Sequence, residues 1–258
     1  MPTLDKCYKP YHYTHNNLFK FFILLFVFTS TYVFSEERIR IHYNERPPYL
    51  MTVSTGLVMG LTADVARNAF QNAGVAHYWM KTPSKRQMKI LRENKGKDCL
   101  VGWFKNDERE KFAKYTKAIY QNKPTIGLAL FSNTDIESGY SIEKILENKD
   151  LILLKKSGYS YGKYIDSAIE KYKPNSYTVT VENINMLMML NFDRADYFFT
   201  TEEEMQGLIK SAGFSLGDYK TIRFKNMPKG NKRYILCSKK VRNRTIEKLN
   251  KWIEEPQN

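Results

Sequence analysis

Residues 98–120 place an arginine where open α/β proteins commonly bind small anions. A short apolar run at residues 99–104 has the length of a buried strand, and a charged turn that contains Arg109 follows it. The guanidinium of Arg109 can hold a carboxylate through two parallel hydrogen bonds, each worth roughly 1.5–3 kcal/mol when shielded from water. The alternative is a surface arginine that pairs with Glu108 or Glu110 and contributes little to stability.

The chain of 258 residues is basic, with 41 Lys and Arg against 27 Asp and Glu and a formal net charge of +14. Without residues 1–35 the balance is 38 against 26, or +12. Such a charge can attract nucleic acid, an anionic membrane surface or an anionic ligand. The basic residues are scattered, and the sequence has no zinc-finger spacing, basic coiled coil or aromatic RNA-recognition motif. We therefore expect no nucleic-acid partner.

Residues 1–35 have the pattern of a cleaved secretory signal peptide. The apolar run at residues 18–28 is too short to span a membrane comfortably as a permanent helix. Val33 and Ser35 occupy the positions three and one before a cut at Glu36. An uncleaved membrane anchor is the alternative, because the segment before the apolar run is long. The pattern predicts export and a periplasmic location.

Export makes Cys99 and Cys237, the two cysteines that follow this segment, candidates for a disulfide. Each lies inside an apolar, strand-like run. They can bridge if the two strands are neighbours, and otherwise they are two buried free thiols; the sequence leaves both possibilities open. No Cys/His cluster in the sequence has the spacing of metal ligands, so we expect no metal and no cofactor.

Strands and helices alternate along both halves of the chain. The predicted strands cover residues 38–43, 77–81 and 99–104 in the first block and residues 150–154, 177–181 and 195–200 in the second. This order indicates mainly parallel sheets. The blocks are not separated by a flexible linker rich in Pro, Gly or Ser. We therefore expect two lobes that are joined by extended strands and close on a cleft.

Five short motifs follow one another along the chain. They are the strand and Pro-Pro-Tyr turn at residues 39–49, the start of the first helix at 60–65, the strand, turn and arginine at 102–120, the Gly/Ser turn at 156–162 and the segment at 194–197. In this order they resemble the bacterial extracellular solute-binding proteins of family 3, the polar amino-acid type. The resemblance covers nearly all of the chain after the predicted signal peptide.

The resemblance implies an α/β protein with the two-lobed periplasmic-binding-protein type II fold. Each lobe would be a mainly parallel sheet flanked by helices. Residues 36–130 and 222–258 would form lobe 1 and residues 131–221 would form lobe 2, after a signal peptide of residues 1–35.

Carried over by position, Arg109 resembles the arginine that binds the ligand's carboxylate in this family. Tyr159 and Ser160 lie where the family has a turn whose amides and hydroxyls hold the same carboxylate at a helix start. Asp196 falls where an acidic residue receives the ligand's amino group. The alternative for Asp196 is a structural role, as a bridge to Arg194 or as a helix cap.

Other positions depart from the family pattern. Arg46 lies about where an aromatic residue is usual, Phe104 replaces a small hydroxyl residue, and Tyr159 replaces a threonine. The added cation and aromatic area would fit a ligand with a second anionic group or an aromatic one. Residues 43–49 supply the wall on which a ligand side chain would stack, with Tyr43 as the candidate residue. Arg46 could equally be a solvated turn residue, and Tyr43 and Tyr159 could be packing residues.

The resemblance implies an exported protein that captures a small polar or amino-acid-like ligand with a carboxylate and presents it to the membrane subunits of an ABC importer. One alternative is a stand-alone sensory receptor without a transporter. Another is a small lyase or dehydratase on the same fold, for which Glu45 and His42 are the nearby titratable residues. The sequence shows no nucleophile–base pair, so we expect a binding protein and not an enzyme.

If the signal-peptide prediction holds, the secreted protein begins near Glu36. Mass spectrometry of protein recovered from the periplasm measures this directly. Protein that stays in the membrane fraction with residues 1–35 attached would instead support an uncleaved anchor.

Overall fold

The computed structural model describes residues 38–254. The predicted signal peptide lies outside the described residues. Two five-stranded sheets form the framework of this part of the chain. None of its helices is both long and apolar enough to cross a membrane.

The first sheet has the strand order β4-β1-β5-β12-β6. Its strands are β1 (Ile39–Tyr43), β4 (His77–Lys81), β5 (Asp98–Phe104), β6 (Ala113–Gln121) and β12 (Lys232–Ser238). β1 pairs in parallel with β4 and β5, whereas β12 is antiparallel to β5 and β6. The helices of this half are Ala63–Asn72, Ser84–Glu93, the short Asp107–Glu110 and the last helix, Asn243–Lys251. A separate two-stranded ribbon pairs β2 (Met51–Thr52) with β3 (Val58–Met59).

The second sheet has the strand order β11-β7-β10-β8-β9. Its strands are β7 (Thr125–Leu130), β8 (Leu153–Lys156), β9 (Ser176–Val179), β10 (Tyr197–Thr201) and β11 (Tyr219–Ile222). β8 is parallel to β9 and β10, whereas β7 is antiparallel to β10 and β11. The helices of this half are Ile142–Glu147, Lys163–Tyr172, Asn183–Asn191 and Glu202–Ser211, with a 3-10 turn at Leu216–Asp218.

The predicted α/β fold with two helix-flanked sheets is confirmed, but both sheets are mixed. In each sheet the antiparallel strand is the first one that the chain forms after it crosses from the other sheet. β7 follows β6 of the first sheet, and β12 follows β11 of the second. The pairing of β7 with β10 places residues 125–130 in the second sheet. The lobe division at residue 130 stays a prediction, and this pairing favours an earlier crossing at residues 122–124.

The central strand of the second sheet is buried on both faces. All five residues of β10 are buried. Tyr197 and Phe199 belong to one apolar cluster and Phe198 to another, because successive side chains of a strand point to opposite faces. Helices therefore cover this sheet on both sides, as in doubly wound α/β proteins.

Strand β5 changes the direction of its side chains at Gly102. Leu100 and Trp103 pack in the same apolar cluster, although side chains three residues apart point to opposite faces of a regular strand. Gly102 has a φ of 83°, which residues with a side chain rarely adopt, and β12 shifts its register opposite this point. The kink sets the last residues of β5 at the space between the two sheets.

Cys99 and Cys237 are opposite each other in the register of β5 and β12. Their Cα atoms are 4.0 Å apart and the two residues form a disulfide. The sequence allowed a disulfide only if the two strands were neighbours, and β5 and β12 are neighbours. The bridge joins positions 138 residues apart. It therefore links β12, the last strand along the chain, to β5 at the centre of the first sheet.

We expect the double substitution Cys99→Ala and Cys237→Ala to lower the free energy of unfolding by about 2–5 kcal/mol, because a long loop is no longer closed in the unfolded chain. Denaturant unfolding monitored by circular dichroism measures this. As a control, thiol titration of the denatured, unreduced full chain should find only Cys7 reactive. Two further reactive thiols, or unchanged stability of the double variant, would contradict the bridge.

Candidate functional site

Two adjoining cavities lie between the two sheets, with volumes of about 400 and 440 Å³ including the space open to solvent. The first sheet contributes the ends of β5 and β12 and the turn after β1. The second contributes the turn after β8 and the end of β10. The residues common to both cavities are Arg46, Phe104, Tyr159, Ser160 and Arg233. Four of these five belong to the predicted site.

Arg109 lines the first cavity and is 4% exposed. The side chain of Asn106 caps its short helix by accepting a hydrogen bond from the Arg109 amide at 2.9 Å. The guanidinium donates from Nη1 to the Phe104 carbonyl at 2.7 Å and from Nη2 to the Gly158 carbonyl at 3.2 Å. Its Cζ lies 4.9 Å from the centre of the Trp103 ring. Arg109 therefore bridges the two halves of the site through backbone oxygens.

The acidic neighbours of Arg109 in the sequence pair elsewhere. Glu108 binds Arg92 at 2.5 Å and Glu110 binds Lys105 at 2.7 Å. No carboxylate within residues 38–254 forms an ion pair with Arg109. Burial lowers the pKa of its guanidinium from the ordinary value. The alternative of an exposed charge pair does not describe this residue.

Tyr159 and Ser160 lie in the turn after β8 and line the same cavity as Arg109. The Tyr159 ring packs edge-on against Trp103, with 5.8 Å between the ring centres. The Ser160 hydroxyl donates to the carboxylate of Asp166 in the first turn of the helix Lys163–Tyr172. Burial raises the pKa of Asp166, although its hydrogen bonds act in the opposite direction. The Ser160 oxygen also accepts from the Gly162 amide at 3.2 Å, which leaves one lone pair for a ligand.

Arg46 and Glu204 form a bidentate ion pair across the cleft. Nε and Nη2 of Arg46 donate to the two carboxylate oxygens at 2.8 and 2.9 Å. Glu204, which is 2% exposed, also accepts from Asn183 at 2.5 Å and from Thr200 at 3.3 Å. Burial by itself raises the pKa of Glu204, but the charge of Arg46 and these hydrogen bonds hold it below its ordinary value. Arg46 lines both cavities, yet its charge is neutralised within the protein.

Arg233, on β12, is a second buried guanidinium that the sequence analysis did not single out. It is 1% exposed. Its Nε donates to Asn122 Oδ1 at 2.8 Å and its Nη1 to the Gly102 carbonyl at 2.7 Å. The sequence did contain a signal for it, namely an arginine at the start of an apolar strand. Arginine is almost never fully buried unless it is paired, so an arginine in such a strand indicates a specific role.

Within the wall predicted at residues 43–49, Tyr49 and not Tyr43 lines a cavity. Tyr43 is buried at the end of β1, where its hydroxyl shares a hydrogen bond with Thr52 at 2.8 Å, and it does not line either cavity. Tyr49, six residues later and fully buried, lines the first cavity and shares a hydrogen bond with Thr201 at 2.7 Å. The Pro-Pro-Tyr turn, whose Pro47–Pro48 peptide is cis, therefore supplies the aromatic wall.

Asp196 lies away from these cavities. It precedes β10, where its oxygens accept from Asn133 at 2.9 Å and from the Ile152 amide at 2.6 Å. The cavities are lined by the opposite end of β10, at Thr200 and Thr201. A strand of five residues separates the two ends, so Asp196 and Arg109 are not brought together. Glu204 instead reaches the site through its ion pair with Arg46.

Comparison with known proteins identifies the fold. An ancestral arginine-binding protein bound to arginine aligns with a TM-score of 0.67 at 15% identity, covering 84% of this chain and 91% of the other. The holo ArgBP from T. maritima aligns with a TM-score of 0.66 at 14% identity, covering 84% and 89%. A substrate-binding protein of an ABC uptake transporter from Streptococcus pneumoniae with bound histidine gives 0.64 at 16% identity, covering 84% and 85%. No protein-family profile and no curated protein matches the sequence.

We expect Glu204→Gln to lower the free energy of unfolding by about 3–5 kcal/mol, because it leaves the charge of Arg46 buried without its partner. The pKa of Glu204 is depressed in the folded state, so its stabilisation is full above the unfolded value of about 4.3 and is lost as the pH falls below it. Denaturant unfolding between pH 3 and pH 7 should show this acid loss in the wild type and less of it in the variant.

The matched control is Glu202→Gln in the same helix. Glu202 pairs with Arg223 at 2.7 Å, but the side chain of Arg223 is 66% exposed, and exposed pairs contribute about 0–1 kcal/mol. Equal destabilisation by the two substitutions would contradict the assignment of Glu204 as the buried partner of Arg46.

Proposed function

We propose that this protein is an exported solute-binding protein that captures a small carboxylate-bearing ligand between its two sheets and presents it to an ABC importer. The observation that carries the proposal is Arg109. Its guanidinium is buried at the cleft, is bound only by backbone carbonyls and an aromatic ring, and makes no ion pair within residues 38–254. A charge left in this state is costly unless a further partner arrives.

The solved structures of the same fold support the ligand class. Their bound molecules are arginine, glutamine and histidine, and one of them is the substrate-binding protein of an amino acid ABC transporter. Each of these ligands carries a carboxylate, which the planar fork of an arginine matches in geometry. Export is supported by the predicted signal peptide and by the disulfide, since disulfides persist in oxidising compartments.

The conformation of the cleft fits capture by closure. Contacts already join its two sides: Arg46 with Glu204, Tyr49 with Thr201, and Arg109 with the Gly158 carbonyl. The chain passes between the sheets at residues 122–124 and 223–231, where a hinge can act. An anion on Arg109 would strengthen the closed form, because it would compensate a charge that closure removes from water.

The titratable residues considered for an enzyme do not line the two cavities. His42 is 3% exposed, and its ring nitrogens are bonded to Thr82 and Asp98, each at 2.9 Å. Glu45 is bonded to Thr52 and Lys81. Both residues therefore have structural partners, which supports a binding protein over an enzyme.

We expect Arg109→Gln to weaken ligand binding by more than about 100-fold, because two charge-assisted hydrogen bonds of roughly 1.5–3 kcal/mol each are lost. The measurement is a thermal-shift screen of the protein against amino acids and dicarboxylates. A ligand at 100 times its dissociation constant adds about 2.7 kcal/mol, or roughly 5–10 °C in a protein of this size.

Arg92→Gln is the control for this substitution. Arg92 is an exposed arginine that pairs with Glu108 in the same region, so its loss should leave affinity unchanged. Circular dichroism of both variants checks that the fold is retained. Wild-type affinity in a folded Arg109→Gln variant would exclude Arg109 as the anchor of the ligand.

A further inference from the structure

We propose that Arg233 forms a second anion-binding subsite beside Arg109, and that the ligand is therefore a compact dicarboxylate. This inference rests on the proposed function and adds the class of ligand to it. The comparison proteins are bound to arginine, glutamine and histidine, none of which has two carboxylates.

The first observation is the incomplete bonding of Arg233. It lines both cavities, and its Nη2 is buried without a hydrogen bond of normal geometry within residues 38–254. The Tyr49 hydroxyl favours the charged guanidinium and shares a hydrogen bond with Thr201, but it makes no hydrogen bond of normal geometry with Nη2. A buried donor that the protein itself leaves without an acceptor requires an explanation, and a bound anion supplies one.

The second observation is the charge balance of the cleft. The cations that line the two cavities are Arg46, Arg109, Lys156 and Arg233. Glu204 neutralises Arg46, and Glu182 pairs with Lys156 at 2.9 Å. Within residues 38–254, Arg109 and Arg233 have no ion-pair partner. Neither guanidinium is bonded to a carboxylate, although Glu204 favours the charged form of Arg233 through space.

Asp166 does not cancel the first of these charges. It favours the charged form of Arg109 electrostatically. Its carboxylate, however, is bonded to the Ser160 hydroxyl and, at 2.8 Å, to the Tyr161 amide, and it makes no ion pair with Arg109. A carboxylate of the ligand can therefore still bind this guanidinium directly.

The third observation is the spacing of the two guanidinium groups. Arg109 donates to the carbonyl of Phe104 and Arg233 to that of Gly102, each at 2.7 Å. These carbonyls are two residues apart on β5, and the first of them belongs to the kinked Gly102, so both guanidinium groups bind the same end of one strand. One compact ligand with two anionic groups can therefore contact both.

Aromatic rings complete the subsite. The Cζ atom of Arg233 lies 3.9 Å from the centre of the Tyr49 ring and 4.8 Å from that of Phe104. These contacts fix the plane of the guanidinium and exclude water from its faces. Arginine keeps its charge under such burial because its ordinary pKa is far above neutrality. The subsite is thus a cation held in one plane, and an anion in the cavity would neutralise its charge and accept from its remaining N–H group.

The test compares ligands with and without a second carboxylate. Isothermal titration calorimetry of the exported protein would measure L-glutamate against L-glutamine and succinate against butyrate. We expect the ligand with two carboxylates to bind at least about tenfold more tightly in each pair, because one charge-assisted interaction is added. In Arg233→Gln the ratio should fall to about one, whereas Arg233→Lys, which keeps the charge, should retain part of it.

Arg67→Gln is the matched control, since Arg67 is a largely buried arginine that donates to the Val58 carbonyl and pairs with Asp64 away from the cavities. Its ratios should equal those of the wild type. Equal affinities within each pair in the wild type, or an unchanged ratio in Arg233→Gln, would overturn the subsite and leave the solute-binding proposal standing. Binding of none of the four ligands would overturn both.

Discussion

The burial of arginine charges between two sheets is the constraint on which the site depends. Arg46, Arg109 and Arg233 all line the same space, and each would be costly there without partners. The protein meets this cost differently at each position. Arg46 has a full carboxylate partner, whereas Arg109 and Arg233 have backbone carbonyls and aromatic faces. The difference separates a cation that a carboxylate neutralises from two that we propose to be available to an anion.

The strands of the first sheet help to explain how Arg109 and Arg233 are positioned. The positive φ of Gly102 bends β5, so the carbonyls of Gly102 and Phe104 reach Arg233 and Arg109 from one strand. The disulfide between β5 and β12 fixes the pairing of these two strands at Cys99, three residues before Gly102. Strand β5 thus supplies one carbonyl partner to each guanidinium group, and the turn after β8 supplies a second one to Arg109, which favours a preorganised site.

The sequence allowed the fold and part of the site to be predicted. Alternating strands and helices and the motif order led to the correct fold, and Arg109 lies at the cleft as expected. Tyr43 and Asp196 were placed at the site by position, but they lie elsewhere because the turn after β1 brings in Tyr49 and because the opposite end of β10 lines the cavities. The pairing of Arg46 with Glu204 joins residues 158 positions apart. Local pattern carries no signal for such a contact.

We propose that one anionic ligand contacts Arg109 and Arg233 together. NMR of the arginine Nε–H groups during titration with succinate, with assignments from Arg109→Gln and Arg233→Gln, observes both contacts at once. Both signals should shift along one saturation curve with a single dissociation constant, while that of Arg67 stays fixed. Saturable binding that leaves the Arg233 signal unmoved would contradict the dicarboxylate site. The absence of any saturable shift would contradict the binding function.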